Sequence, residues 1–173
     1  FEELEHLEHK YYMGKYFYSV FENKNKELIS LRKNGQSLNF VNILTEETIK
    51  TLEFEGLKGF STITFQGELL MLVDCESKVL LVKDYETIDT IKLPEGKDYS
   101  SIIAFDNMIV FKISYTELMV WKYDPETKKG KARFHSFDFE IKHMTKAIYD
   151  GEECLAVTPR SSETVYYYTY EKI

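Results

Sequence analysis

The sequence predicts an all-β chain of four consecutive repeats, each a four-stranded antiparallel sheet, and three observations carry the prediction. An aromatic residue followed by two turn-forming residues and an apolar run recurs along the chain, a Glu-Thr pair recurs with a similar period, and polar hairpin-type stretches interrupt the apolar runs. Repetition at a period of about 20 to 50 residues marks architectures that stack supersecondary units, because one unit alone cannot cover its apolar faces.

The first motif stands at Phe65-Gln66-Gly67, Phe105-Asp106-Asn107 and Tyr149-Asp150-Gly151, spaced by 40 and 44 residues, with a looser copy at Phe21-Glu22-Asn23. The apolar runs that follow are Leu28 to Leu31, Leu69 to Val73, Met108 to Phe111 and Cys154 to Val157. Such short continuous runs read as strands buried on both faces, the second strand of each repeat. They are broken by Lys33 to Gln36, Asp74 to Ser77, Ser114 to Glu117 and Pro159 to Glu163. These stretches have hairpin-loop composition, which assigns Cys75 to a loop.

Third strands follow at Leu38 to Val41, Val79 to Val82, Leu118 to Trp121 and Val165 to Tyr168, rich in the β-branched and aromatic residues that suit a pleated surface. The next turn carries Glu47-Thr48, Glu86-Thr87 and Glu126-Thr127, spaced by 39 and 40. Fourth strands at Ile49 to Phe54 and Ile88 to Leu93 alternate polar with apolar residues, as a strand with one wet face should, and so read as the outer edge. Lys131 to Phe137 fits that pattern less well, and the fourth copy has no such segment.

These units resemble the blades of a β-propeller. Val120-Trp121-Lys122-Tyr123-Asp124-Pro125-Glu126-Thr127 is similar to the third strand and following turn of kelch-like and F-box-associated propellers. The chain departs from kelch repeats in having no Gly-Gly pair at the end of the second strand, and from WD40 repeats in having Lys122 after Trp121. Regular hairpins would also suit a β-sandwich, which is the alternative fold.

Residues 11–173 thus form the repeat domain, with copies at about 11–55, 56–96, 97–140 and 141–173. Residues 1–10 differ in character: Phe1, Leu4 and Leu7 at three-residue spacing among four glutamates suggest one or two turns of amphipathic helix. Residues 11–18 are candidates for the strand missing from the last copy. Beginning at Phe1, the sequence reads as a processed form or a piece of something longer, and further blades from the same or another chain would complete a ring.

The composition bounds the function. A net charge of −7 and no broad basic excess argue against nucleic acid and favour basic protein partners. No apolar run approaches the roughly 20 residues of a membrane span. Two distant cysteines form neither a disulfide framework nor a paired zinc motif, which points to a reducing compartment, cytoplasmic or nuclear.

Chemistry-bearing motifs are few. His6 and His9 have spacing for a metal on one helical face, but a solvated charged segment accounts for them, and no metal or other cofactor is expected. Cys154 falls within a buried strand as an apolar filler, and Cys75 between Asp74 and Glu76 is poorly placed to ionise. Lys128, Lys129, Lys131 and Arg133 read as a solvated hairpin tip, and Tyr166 to Tyr168 as core packing. Neither a nucleophile elbow nor a phosphate loop nor a dinucleotide fingerprint occurs, so no catalytic residue is assigned.

What remains is display on loops. In a propeller the loops joining fourth to first strands and second to third strands share one face, and loops on a rigid scaffold carry function. By this register the partner-binding candidates are Lys58, Asp98, His143, Tyr115 and Arg160. Tyr and Arg dominate interfaces energetically, which singles out Tyr115 and Arg160. The expected function is a non-enzymatic protein-recognition module or scaffold subunit of a larger complex. The alternatives are a propeller-type hydrolase working in a central pocket and a fragment that completes a larger ring.

Overall fold

The computed structural model describes residues 19–169, and their regular elements are all strands. The first repeat contributes β1 (Ser19–Glu22), β2 (Leu28–Asn34), β3 (Ser37–Asn42) and β4 (Thr48–Glu53). The second contributes β5 (Leu57–Phe65), β6 (Glu68–Cys75), β7 (Lys78–Lys83) and β8 (Glu86–Lys92). The third has β9 (Ser101–Ala104), β10 (Met108–Lys112), β11 (Glu117–Asp124) and β12 (Lys129–Ser136), and the fourth has β13 (Ile141–Tyr149), β14 (Glu152–Pro159) and β15 (Tyr166–Tyr168). Each repeat is its own antiparallel meander, paired in chain order. The fourth sheet has three strands among the described residues.

The aromatic-turn motif is the hairpin between first and second strands. Gln66-Gly67 and Asp150-Gly151 take positive φ at both positions, 52° and 73° in one and 52° and 81° in the other. That geometry matches the right-handed twist of the flanking strands, and glycine at the second position adopts it without steric penalty. In the looser first copy, Asn23 Oδ1 instead accepts from the amides of Asn25 and Glu27, at 2.9 and 3.0 Å.

The sheets stack through three apolar cores. The first lies between sheets one and two and includes Ile29, Leu31, Leu38 and Phe40 against Met71, Val73, Cys75 and Val82. The second packs Leu70, Leu72, Val79 and Leu81 against Ile109, Phe111, Met119 and Trp121. The third packs Met108, Val110, Leu118 and Val120 against Leu155 and Val157. Strands β6 and β10 therefore divide their alternate side chains between two neighbouring sheets, which is why their sequences read as unbroken apolar runs. Four meanders stacked in series are the arrangement expected for propeller blades. A sandwich would set two larger sheets face to face.

Three details differ from the sequence reading. Cys75 closes β6 and is fully buried rather than lying in a loop, because the turn is only Glu76-Ser77. The poorly patterned third copy forms a regular strand, β12, paired with β11 from Lys129 to Ser136. Its side chains are mostly exposed, so alternation had little to report. Tyr166 and Tyr167 are exposed rather than core, stacking on Phe139 and Tyr149 at centroid distances of 5.2 and 4.5 Å. The segments 1–10 and 11–18, for which a helical turn and a pairing strand were expected, lie outside the described residues.

Candidate functional site

Turns joining second to third strands and fourth to first strands are knitted to one another on one face. The amide of Leu57 donates to Gln36 Oε1 at 2.8 Å, that of Glu76 to Gly56 O at 3.0 Å, and that of Ile141 to Tyr115 O at 2.6 Å. Gly56 has φ +71° and an added Cβ would sit 3.0 Å from Glu76 Cβ, so a side chain there would force the two turns apart. Backbone bonds between successive sheets make this face stiff, and a stiff face displays side chains at low entropic cost on binding.

Four of the five candidate residues come together here as two pairs. Lys58 follows the first residue of β5, where the β5–β6 register shifts between Leu57 and Gly59, and its Nζ reaches Asp98 Oδ2 at 3.1 Å. The Asp98 carboxylate is held below its usual pKa by that ammonium donor first and by the Tyr99 amide, 3.0 Å away, second. Asp74, behind them, is pushed up by burial and then by the charge of Asp98, with Lys58 opposing. Burial likewise raises the Tyr99 phenol. A cavity of about 500 Å³ between these turns is lined by charged residues, among them Glu55, Lys58, Glu76, Lys97 and Asp98.

The second pair joins sheets three and four. Tyr115 stands in the β10–β11 turn and is 63% exposed. The Arg160 guanidinium lies over that ring at 5.5 Å and the Lys112 ammonium at 5.8 Å, both within cation–π range. Arg160 Nη1 pairs with Glu140 Oε2 at 3.1 Å, and its amide donates to Glu140 O at 2.7 Å. Lys112 Nζ donates to Ile141 O at 2.8 Å. The sequence reading missed Lys112 and Glu140, since neither stands out until the fold sets Lys112 over the Tyr115 ring and pairs Glu140 with Arg160 of the next repeat. His143 is exposed on β13 opposite Thr158 and, among the described residues, joins neither pair.

The arrangement offers an exposed aromatic ring with cations beside it and a polar, mixed-charge surround. Among the described residues no three His, Cys, Asp or Glu side chains gather as a metal site. Both cysteines are buried, and the Cys75 thiol is pushed up by desolvation first and by the Asp74 charge.

No family model matches the chain, and no curated protein matches it. Solved structures do. BBS1N, solved in complex with ARL6DN, is similar at 12% identity with a TM-score of 0.59, over 88% of this chain and 50% of that one. Hsv2 of Kluyveromyces lactis is similar at 10% identity with a TM-score of 0.53, over 89% of this chain and 47% of that one. A second Hsv2 structure, from Kluyveromyces marxianus, gives 9% identity and a TM-score of 0.51 over 87% and 44%. The chain thus spans about half the length of the structures it matches. Identities this low speak to fold alone, and the fold is that of β-propellers. Four serially stacked meanders and this likeness together make the chain an array of β-propeller blades.

Proposed function

We propose that the chain is a non-enzymatic protein-recognition module, a scaffold subunit that receives a protein partner on the face carrying Tyr115 and Arg160. One observation carries the reading: an exposed tyrosine whose carbonyl accepts from the Ile141 amide of the next sheet, and whose ring is flanked by Arg160 and Lys112, is the kind of amphipathic anchor that dominates protein interfaces. The finer resemblance to kelch-like and F-box-associated propellers supports the same class, as does BBS1N having been solved with a protein partner. The overall acidic balance favours a basic partner, and the compartment we assign is cytoplasm or nucleus.

The test is affinity purification of the natural protein from its own cells beside a Tyr115→Ala/Arg160→Ala variant. A stoichiometric protein kept by the first and lost by the second is the expected result. A partner held equally by both would move the interface elsewhere. A protein that stays free and monomeric would refute the recognition reading and turn attention to hydrolysis.

A further inference from the structure

A second concave site lies on the opposite face, where the turns join first to second and third to fourth strands. It is a cavity of about 610 Å³ between sheets one and two, within the size range of ligand sites. Its floor is aromatic. Phe21 from β1, Phe40 from β3 and Tyr85 from the β7–β8 turn meet edge to face, with Phe40 to Tyr85 at 4.8 Å and 90° and Phe21 to Phe40 at 6.4 Å and 83°. Ile49 and Leu69 also line it and leave 41% and 43% of their surface to water, so apolar surface continues from the floor to the mouth.

Among the described residues one ion pair links the two sheets across the mouth, while Lys26–Glu22 and Lys83–Glu68, which also line the cavity, each stay within one sheet. Lys24 Nζ, in the β1–β2 turn, reaches Asp84 Oδ2, in the β7–β8 turn, at 2.5 Å, linking two sheets through side chains that are 73% and 48% exposed. So exposed a pair contributes little by itself and exchanges partners easily. The turn that presents Asp84 is unusual. Asp84 and Tyr85 both take positive φ, 50° and 69°, in a two-residue hairpin where Asn-Gly is the ordinary choice. A tyrosine in the left-handed region is strained, and strain of this kind concentrates at binding sites. Here the strained turn places a ring on the floor and a carboxylate at the mouth of the same cavity.

We propose that this groove binds an extended segment of a partner protein carrying a bulky apolar anchor side chain, with an acidic residue on one side of the anchor and a basic residue on the other. The anchor fills the space over Phe21, Phe40 and Tyr85. The acidic residue takes Lys24 and the basic residue takes Asp84, so the bridge across the mouth opens and both charges stay paired. The site is separate from the Tyr115 face and does not depend on it.

Binding is read by fluorescence anisotropy with the whole chain and a short labelled peptide that has a central tryptophan, a glutamate before it and a lysine after it. The charge-swapped peptide and the peptide with alanine for tryptophan serve as comparisons. Loss of the anchor is expected to weaken binding about tenfold or more. One charge order is preferred by roughly threefold, and Lys24→Glu/Asp84→Lys, which keeps an ion pair, inverts that preference. Leu69→Glu, at an exposed position, abolishes binding without unfolding the chain and stands in should the double reversal fail to fold. The proposal is overturned if no anchored peptide binds, if the double reversal leaves the charge preference unchanged, or if indole alone binds as tightly as the peptide. Self-association in sedimentation that Leu69→Glu removes also overturns it, because the occupant is then a second copy.

Discussion

Gly130 lies beside the chain's single tryptophan, and replacing it with alanine sets two effects against each other. Alanine in place of a strand glycine normally gains about 0.5 to 1 kcal/mol from reduced unfolded-state entropy. Gly130 has no positive φ that would forbid the change. Its new Cβ, however, would sit 1.9 Å from Trp121 Cε2 and 2.0 Å from Nε1, where ordinary contact begins at 3.4 Å. The indole must retreat by about 1.5 Å. It is 3% exposed and backs onto Phe65 at a centroid distance of 5.9 Å, so the retreat compresses the core between sheets two and three. Overpacking of this kind costs about 1 to 3 kcal/mol, and expelling the indole altogether costs about 3 to 5. The clash therefore wins, with Gly130→Ala expected to destabilise by about 2 to 3 kcal/mol. Trp121 fluorescence reports unfolding directly, and with a urea slope of about 2 kcal/mol per molar the midpoint should fall by about 1 to 1.5 M. In a Trp121→Leu background, followed by circular dichroism, the glycine substitution should cost under about 1 kcal/mol. An unchanged midpoint at unchanged slope in the tryptophan-containing chain would refute the steric reasoning.

Three further outcomes follow from the same geometry. Phe111→Ala, at a fully buried position of that core, should cost about 3 to 5 kcal/mol and reduce hydrogen-exchange protection in sheets two and three more than in sheet one. Asp74→Asn should raise stability at neutral pH: burial raises the folded pKa above the unfolded one, so the native carboxyl holds its proton more tightly and stability falls as pH rises between the two values. The advantage of the amide, read as urea midpoints, should disappear in acid below the unfolded pKa, and an advantage that persists there would contradict this assignment. Cys75 and Cys154 should both resist a thiol reagent in the native chain and react together once urea unfolds it, whereas a fast native reaction would contradict their burial.

The second strands were legible in the sequence because they bury both faces, so Leu69 to Val73 and Met108 to Phe111 show as unbroken apolar runs. The first strands were not: β1 and β9 are four residues long, and β5 and β13, though nine long, are half-buried or exposed along most of their length and so show no apolar run. Cys75 was misplaced because Asp74 and Glu76 beside it gave a buried strand end the composition of a loop. Asp98, Tyr115 and Arg160 stand in turns as their sequence suggested, whereas Lys58 and His143 lie within β5 and β13, and the pairings were hidden: Lys58 meets Asp98 and Tyr115 meets Arg160 across repeats, at separations no local pattern encodes. The same reason hid the groove, whose mouth is closed by residues 60 positions apart.

The division of β6 and β10 between two cores also sets the grain at which a chain of this kind changes over generations. Duplicating a whole repeat leaves every contact rule intact, since the incoming unit offers one row of side chains to its predecessor and the other to its successor. Adding a single residue within β6 exchanges the rows beyond it, turning residues such as Leu72 and Val73 toward the wrong neighbours at once. Descendants of this sequence should therefore differ in the number of repeats and in loops such as the one between β8 and β9, while the lengths of the central strands stay fixed.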